Sequence, residues 1–148
     1  MLYTIGYQNL DPRHIKEAAE RFNIARIIDV RSTPYSKRPE FNRPALEEYL
    51  GALYEWRGDV LGGKGWGIQY EALAALDKEA RKQNVMLMCL ERHPCHCHRY
   101  HLICKTLLPM GIDAWHLVGT DIFKTSVLDE ICERLVLDKT LNLFEQAG

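Results

Sequence analysis

The chain has 148 residues, is 47% hydrophobic and 26% charged, and carries a formal net charge of −1. That length points to one domain whose core needs no disulfide or metal staple, and the composition excludes disorder and low-complexity sequence. The charge excludes a strongly basic coat for nucleic acid, and no stretch approaches the roughly 18 apolar residues that span a bilayer.

Leu2 to Tyr7 is short, apolar and rich in β-formers, and reads as a first strand. Asp11 is a good N-cap and Pro12 suits a first helical turn, while Ile15, Ala18, Ala19 and Phe22 recur at helical spacing. A helix is therefore predicted over 12–23. Ile27, Ile28 and Val30 make 25–30 nearly continuously apolar, the pattern of a central parallel strand. Arg31 to Asn42 contains Pro34 and Pro39 and no periodicity, so it is a long loop of the kind that often carries function. Leu46, Tyr49, Leu50 and Leu53 mark a second helix over 44–53, followed by a short strand at 54–56.

A glycine-rich stretch, 58–67, precedes a third helix over 69–82 with Tyr70, Leu73, Ala74 and Leu76. Val85 to Leu90 is again wholly apolar and reads as a strand. After the loop 91–97, Leu102, Ile103 and Leu107 give a helix its apolar face, and Met110-Gly111 ends it with a glycine cap. Residues 114–118 are a last strand, and Val127, Leu128, Ile131 and Leu135 mark a C-terminal helix.

Strands alternating with helices predict an α/β fold over residues 1–148: a mainly parallel sheet of about four to five strands with helices on both faces. In such sheets ligands bind outside the carboxyl ends of the strands. Gly6-Tyr7, Asp29-Val30-Arg31 and Cys89-Leu90-Glu91 are therefore expected on one edge.

The five cysteines are odd in number and crowded, unlike a secreted disulfide framework. The first residues lack the charged and apolar regions of a signal peptide. A reducing cytoplasm with the cysteines as free thiols or metal ligands is the expectation. Cys89, Cys104 and Cys132 lie in apolar segments and read as core thiols. His14 and His116 read as surface or satisfied core residues.

Residues 89–101 hold three of the five cysteines and four of the six histidines. One reading is a thiolate and anion site. A cysteine at the start of the following helix acquires a depressed pKa and becomes nucleophilic. Cys97 is then the nucleophile, Arg31 and Arg99 clamp an anion, and Asp29 or Glu91 serves as acid or base. The strand–loop–helix layout is similar to that of cysteine phosphatases and rhodaneses, whose loop has a cysteine, five intervening residues and an arginine. Here Arg99 follows Cys97 by two residues and Cys95 by four, so that pattern is absent. A second reading is a zinc site on Cys95, Cys97, His98 and His101, although its spacing lacks a paired C-x-x-C. The bland alternative leaves His93 and His96 as solvated loop positions.

Two further features bear on partners. Arg31, Lys37, Arg38 and Arg43 stand against the single acid Glu40, with Tyr35 and Phe41 interleaved, a composition suited to phosphate contact and base stacking. Gly58 to Gly65 follows a phosphate-loop pattern until its last position, where glycine replaces the serine or threonine that holds magnesium. It reads as a flexible lip.

The ordered set Thr4-Ile5-Gly6-Tyr7, Asp29-Val30-Arg31-Ser32 with Pro34 and Ser36, Leu61-Gly62-Gly63, Cys89-Leu90-Glu91 and Cys97-His98-Arg99 resembles the family catalogued as domain of unknown function 488. The resemblance spans nearly the whole chain. It implies a site on Gly6, Tyr7, Asp29, Arg31, Ser36, Cys89, Glu91, Cys97, His98 and Arg99, and it implies no reaction. Cys95 and His96 lie outside the family pattern. The leading expectation is an enzyme, a hydrolase or transferase, acting on a small anionic or nucleotide-like ligand. The alternatives are a nucleic-acid module and a zinc-binding protein. Neither cofactor, substrate nor oligomeric state is legible at this level, and no membrane partner is expected.

Overall fold

The computed structural model describes residues 1–65 and 67–134. Six strands form one sheet: β1 (Leu2–Gly6), β2 (Arg26–Asp29), β3 (Tyr54–Trp56), β4 (Val85–Cys89), β5 (Trp115–Val118) and β6 (Asp121–Lys124). Their order across the sheet is β3-β2-β4-β1-β5-β6. Every pairing is parallel except the β5–β6 hairpin at one edge. The α/β expectation holds, with more strands than foreseen. The unforeseen strand is β6, whose Ile122 and Phe123 are flanked by Asp121 and Lys124 and which lies largely exposed. It has no apolar run because it is an edge strand with little core to cover. Gly119, at φ +62°, takes the first position of the two-residue turn before it, where a hairpin of this type calls for glycine.

The helices are α1 (Pro12–Arg21), α2 (Arg43–Leu50), the single turn α3 (Gly58–Leu61) and α4 (Tyr70–Lys82). A continuous helical stretch follows β4, π-helical over Arg99–Cys104 and α-helical over Lys105–Leu107 (α5). Residues 125–134 are helical (α6). The predicted Leu135 of that helix lies outside the described residues. Among the described residues no helix is long and apolar enough to cross a membrane.

The period-2 alternation of the strands divides two cores. Leu2, Ile28, Val85, Leu87 and Cys89 point to the face covered by Leu73 and Leu76 of α4 and by Ile103 and Leu107. Tyr3, Ile5, Ile27, Met86 and Met88 point to the opposite face, covered by Ile15 and Ala19 of α1 and Leu46 and Leu50 of α2. The connections through α1 and α2 step across the sheet one way over one face. Those through α3, α4 and α5 step the other way over the other face, as right-handed crossovers require. Strand β4 therefore lies between β1 and β2, whose outgoing chains leave on the face opposite to its own. That is a topological switch point, where a crevice opens at the carboxyl ends.

Cys95 and Cys132 are joined in a disulfide, with their Cα atoms 5.6 Å apart. This corrects the expectation that all the cysteines are free thiols or ligands and that Cys132 is a core thiol. The pair is 37 residues apart in the chain, and only the docking of α6 brings it together. Cys89, Cys97 and Cys104 are free and buried.

Candidate functional site

A cavity of about 420 Å³ opens at the switch point. Tyr7 enters it from the end of β1, and Cys89, Leu90 and Glu91 from the end of β4. The chain after β2 contributes Arg31, Ser32, Thr33 and Tyr35, and the glycine-rich lip contributes Gly63 and Lys64. His98 completes the lining. The Lys64 N–H donates to Ser32 Oγ at 3.0 Å, which fastens the lip to the loop after β2. A helical turn occupies Gly58–Leu61, so this stretch does not form an extended phosphate-cradling loop.

Asp29 sits behind the cavity and is fully buried. Its Oδ1 accepts from the Arg31 backbone N–H (3.1 Å) and Nε (2.9 Å), and its Oδ2 from Arg31 Nη2 (2.7 Å) and the Tyr54 hydroxyl (2.5 Å). Four hydrogen bonds occupy the carboxylate, whose task is to hold Arg31. The remaining guanidinium bonds go to Tyr7 Oη (3.2 Å) and the Phe41 carbonyl (2.8 Å). Burial alone lowers the Arg31 pKa, but the hydrogen bonds and charge of Asp29 outweigh it and hold the group above its ordinary value. Tyr7 in turn stacks on the buried Phe41 ring at a centroid distance of 4.2 Å.

Arg99 is fully buried and does not line the cavity. It donates to Thr4 Oγ1 (3.2 Å) and to the carbonyls of Glu91 (2.7 Å) and Arg92 (3.3 Å), so it ties the loop after β4 to β1. Ser36 shapes its own loop. Its N–H donates to Asn42 Oδ1 and its Oγ accepts from the Arg38 N–H. Gly6 is needed for close approach, because a Cβ there overlaps the Glu91 carbonyl. A Gly6→Ala protein is expected to lose about 1–3 kcal/mol of stability by urea titration, because the loop carrying Glu91 must shift. A loss under about 0.5 kcal/mol would show that the loop yields freely.

The reactive groups gather around His98. Its Nε2 lies 2.9 Å from the Val30 carbonyl and 3.1 Å from the Leu61 carbonyl. Its Nδ1 faces Cys89 Sγ at 3.9 Å and Cys97 Sγ at 4.0 Å. Interaction between the two thiols lowers the Cys97 pKa, against the opposing pull of burial, and raises that of Cys89. His98 and Arg99 lower Cys97 further. Burial lowers His98, but the Cys97 sulfur and the two carbonyls outweigh it and leave it raised. Burial, then the charge of Cys97, raises the Glu91 carboxyl.

The structure thus brings Tyr7, Arg31, Cys89, Glu91 and His98 to the cavity, with Cys97 just beneath. It sets Gly6, Asp29 and Arg99 behind it as supports, and it leaves Ser36 off the cavity, bonded within its own loop. The set Cys95, Cys97, His98 and His101 is not assembled. The Cys95 sulfur is bonded to Cys132, and the exposed His101 directs Nε2 to the Cys95 carbonyl at 2.6 Å. Ser32, Tyr35, Lys64 and Leu90, named in the sequence only as parts of motifs, of the basic loop or of the lip, also line the cavity, and Thr33 joins them with no sequence signal of its own.

The basic loop is largely self-neutralised. Arg31 pairs with Asp29, Arg38 with Asp11 and Glu40, and Arg43 with Glu47. Phe41 is fully buried, which leaves Tyr35 as the exposed aromatic of the stretch.

Comparison with curated proteins finds no match, and neither does comparison with solved structures. A family model matches over residues 12–70 and 67–105, a span holding the β2 end, the lip, the β4 end and the Cys97-His98-Arg99 block. By that match the chain belongs to the family described as Domain of unknown function DUF488.

Proposed function

We propose that this protein is an enzyme, a hydrolase or transferase, acting on a small anionic or nucleotide-like ligand held at the carboxyl ends of β1, β2 and β4. Cys89, Cys97, His98 and Glu91 are its reacting centre. The observation that carries this reading is the coincidence of the switch-point cavity with the cluster of thiols, imidazole and carboxyl. Lys64 and Arg31 supply positive charge to the cavity, and the Ser32 and Thr33 hydroxyls supply hydrogen bonds. The Tyr35 ring, 60% exposed at the rim, offers a stacking face for a base. Glu91, which lines the cavity, is the proton carrier, and Asp29 positions Arg31. The ion pairs of Arg38 and Arg43 and the burial of Phe41 favour this small-ligand reading over a nucleic-acid surface.

The test is a panel of nucleoside phosphates, sugar phosphates and small dicarboxylates, read by thermal shift and saturation-transfer NMR. At least one phosphorylated member is expected to bind, and Lys64→Gln to weaken it about tenfold by removing a charged hydrogen bond. A panel with no binder, or a binder indifferent to both Lys64→Gln and Tyr35→Ala, overturns the reading.

A further inference from the structure

We propose that Cys89 Sγ, Cys97 Sγ and His98 Nδ1 are three ligands of one divalent ion of the zinc class, with its fourth position open to the cavity. This rests on the site of the preceding section and names its cofactor. It uses a different residue set from the one that the spacing of 95–101 suggests.

Three observations converge. The first is distance, since the three donor atoms all lie within 4.8 Å of one another. Tetrahedral zinc, with bonds of about 2.3 Å to sulfur and 2.0–2.1 Å to nitrogen, places those ligand atoms about 3.6 Å apart. The sulfur-to-Nδ1 separations of 3.9 and 4.0 Å need to close by only a few tenths of an ångström.

The second is the orientation of the imidazole. Both groups facing Nε2, the Val30 and Leu61 carbonyls, can only accept, so Nε2 carries the proton. The Nδ1 lone pair is therefore turned toward the sulfurs. A ring fastened through N–H to a backbone carbonyl, with its other nitrogen aimed at thiolates, is the outer-sphere arrangement of metal-bound histidine. Gly63 closes over the ring, and a Cβ there would stand 3.0 Å from His98 Cγ.

The third is an orphaned oxygen. Among the described residues, Glu91 Oε2 is the buried side-chain polar atom with no hydrogen-bond partner. An unpartnered buried carboxyl oxygen is costly. Beside the two sulfurs, a cation or its bound water supplies the missing partner.

Two sulfurs and a nitrogen select a soft or borderline ion over magnesium or calcium. Three protein ligands with an open position match the catalytic type of zinc site, in which bound water or substrate takes the fourth place. Cys89 and His98 both line the cavity, so that position faces the ligand space. Glu91, on the same wall, accepts a proton from bound water.

The test uses the full chain, purified anaerobically without reductant or chelator. Elemental mass spectrometry is expected to find one zinc per chain. The cobalt-substituted protein is expected to show thiolate-to-metal charge transfer and tetrahedral bands, and the cadmium-113 NMR shift of wild type a two-sulfur site. Cys97→Ser and His98→Gln should each weaken the ion about a hundredfold, while the Cys95→Ser/Cys132→Ser protein keeps it. The proposal is overturned by a chain that takes up no zinc when titrated, by a cadmium shift showing no sulfur ligand, or by Cys89 and Cys97 found disulfide-bonded to each other. The wild-type cadmium and titration measurements stand even where a variant fails to fold. Zinc without any panel ligand sinks the proposed function and leaves the metal site. A panel ligand bound to zinc-refractory protein does the reverse.

Discussion

Replacement of Asp29 by alanine is expected to lower the unfolding free energy by about 3–5 kcal/mol, the range for stranding one member of a buried ion pair. Arg31 is 6% exposed and Asp29 fully buried. Without the carboxylate, the guanidinium keeps only Tyr7 Oη and the Phe41 carbonyl, and the Tyr54 hydroxyl loses its acceptor. The damage reaches beyond stability, because Arg31 lines the cavity and braces Tyr7 on Phe41. Urea unfolding by circular dichroism measures the first effect and panel-ligand affinity the second. A loss below about 1 kcal/mol would mean that Arg31 finds solvent in the variant and that the pair does not organise the β2 end. Asp29→Asn is the gentler companion: it keeps the shape and part of the hydrogen bonding and should fall between the two.

Acidification is expected to destabilise the protein through His116. This imidazole is fully buried at the centre of a directed chain. Arg99 Nε donates to Thr4 Oγ1 (3.2 Å), and the Thr4 hydroxyl donates to His116 Nδ1 (2.7 Å). His116 Nε2–H donates to Thr125 Oγ1 (2.8 Å), and the Thr125 hydroxyl to the Ala114 carbonyl (3.4 Å). A proton on Nδ1 forces the Thr4 hydroxyl to turn away and lose this acceptor in a buried setting, so the network favours the neutral ring. Burial first, then the Arg99 charge, pushes the His116 pKa down to about 3. The unfolded chain, with an ordinary value of about 6.5, binds a proton that the folded one refuses. The stability His116 contributes is therefore complete above about pH 6.5 and is lost as pH falls from there toward about 3, at about 1.4 kcal/mol per pH unit. At pH 5 the loss is about 2 kcal/mol. The measurement is the difference in pH slope between wild type and His116→Gln, which keeps hydrogen bonding without titrating. Equal slopes would show that His116 titrates alike in the folded and unfolded chain and would overturn the prediction.

Arg99 links this chain to the site. The same guanidinium that fixes Thr4 and His116 holds the Glu91 and Arg92 carbonyls. The orientation of the loop carrying Glu91 thus depends on a buried polar network under the sheet end. That explains why a charged side chain can be fully buried here, since each of its bonds positions a segment of the site.

The order of elements was open to reading from residue pattern alone, because apolar runs and helical periodicity are local consequences of what each segment must bury. Ile27, Ile28 and Val30, broken only by Asp29, and the run Val85–Leu90 mark central parallel strands by carrying apolar residues on both faces. Once the strands are parallel, their carboxyl ends must share an edge, so the meeting of Tyr7, Arg31, Cys89 and Glu91 followed from the sequence. Tertiary structure alone decided which neighbours face the cavity and which face away. Asp29 and Arg31 are two residues apart and paired, yet one is a buried brace and the other a lining residue, because the longer Arg31 side chain reaches past its partner to the cavity wall while the short Asp29 carboxylate is spent on four donors. Arg99 reads as an anion clamp by type but is consumed by backbone carbonyls that only the folded loop presents. The edge strand β6 escaped because an exposed strand carries no apolar signature. The Cys95–Cys132 bond and the Cys89–Cys97–His98 cluster depend on the docking of α6 and on the turn after β4, contacts between distant segments that no spacing along the chain encodes.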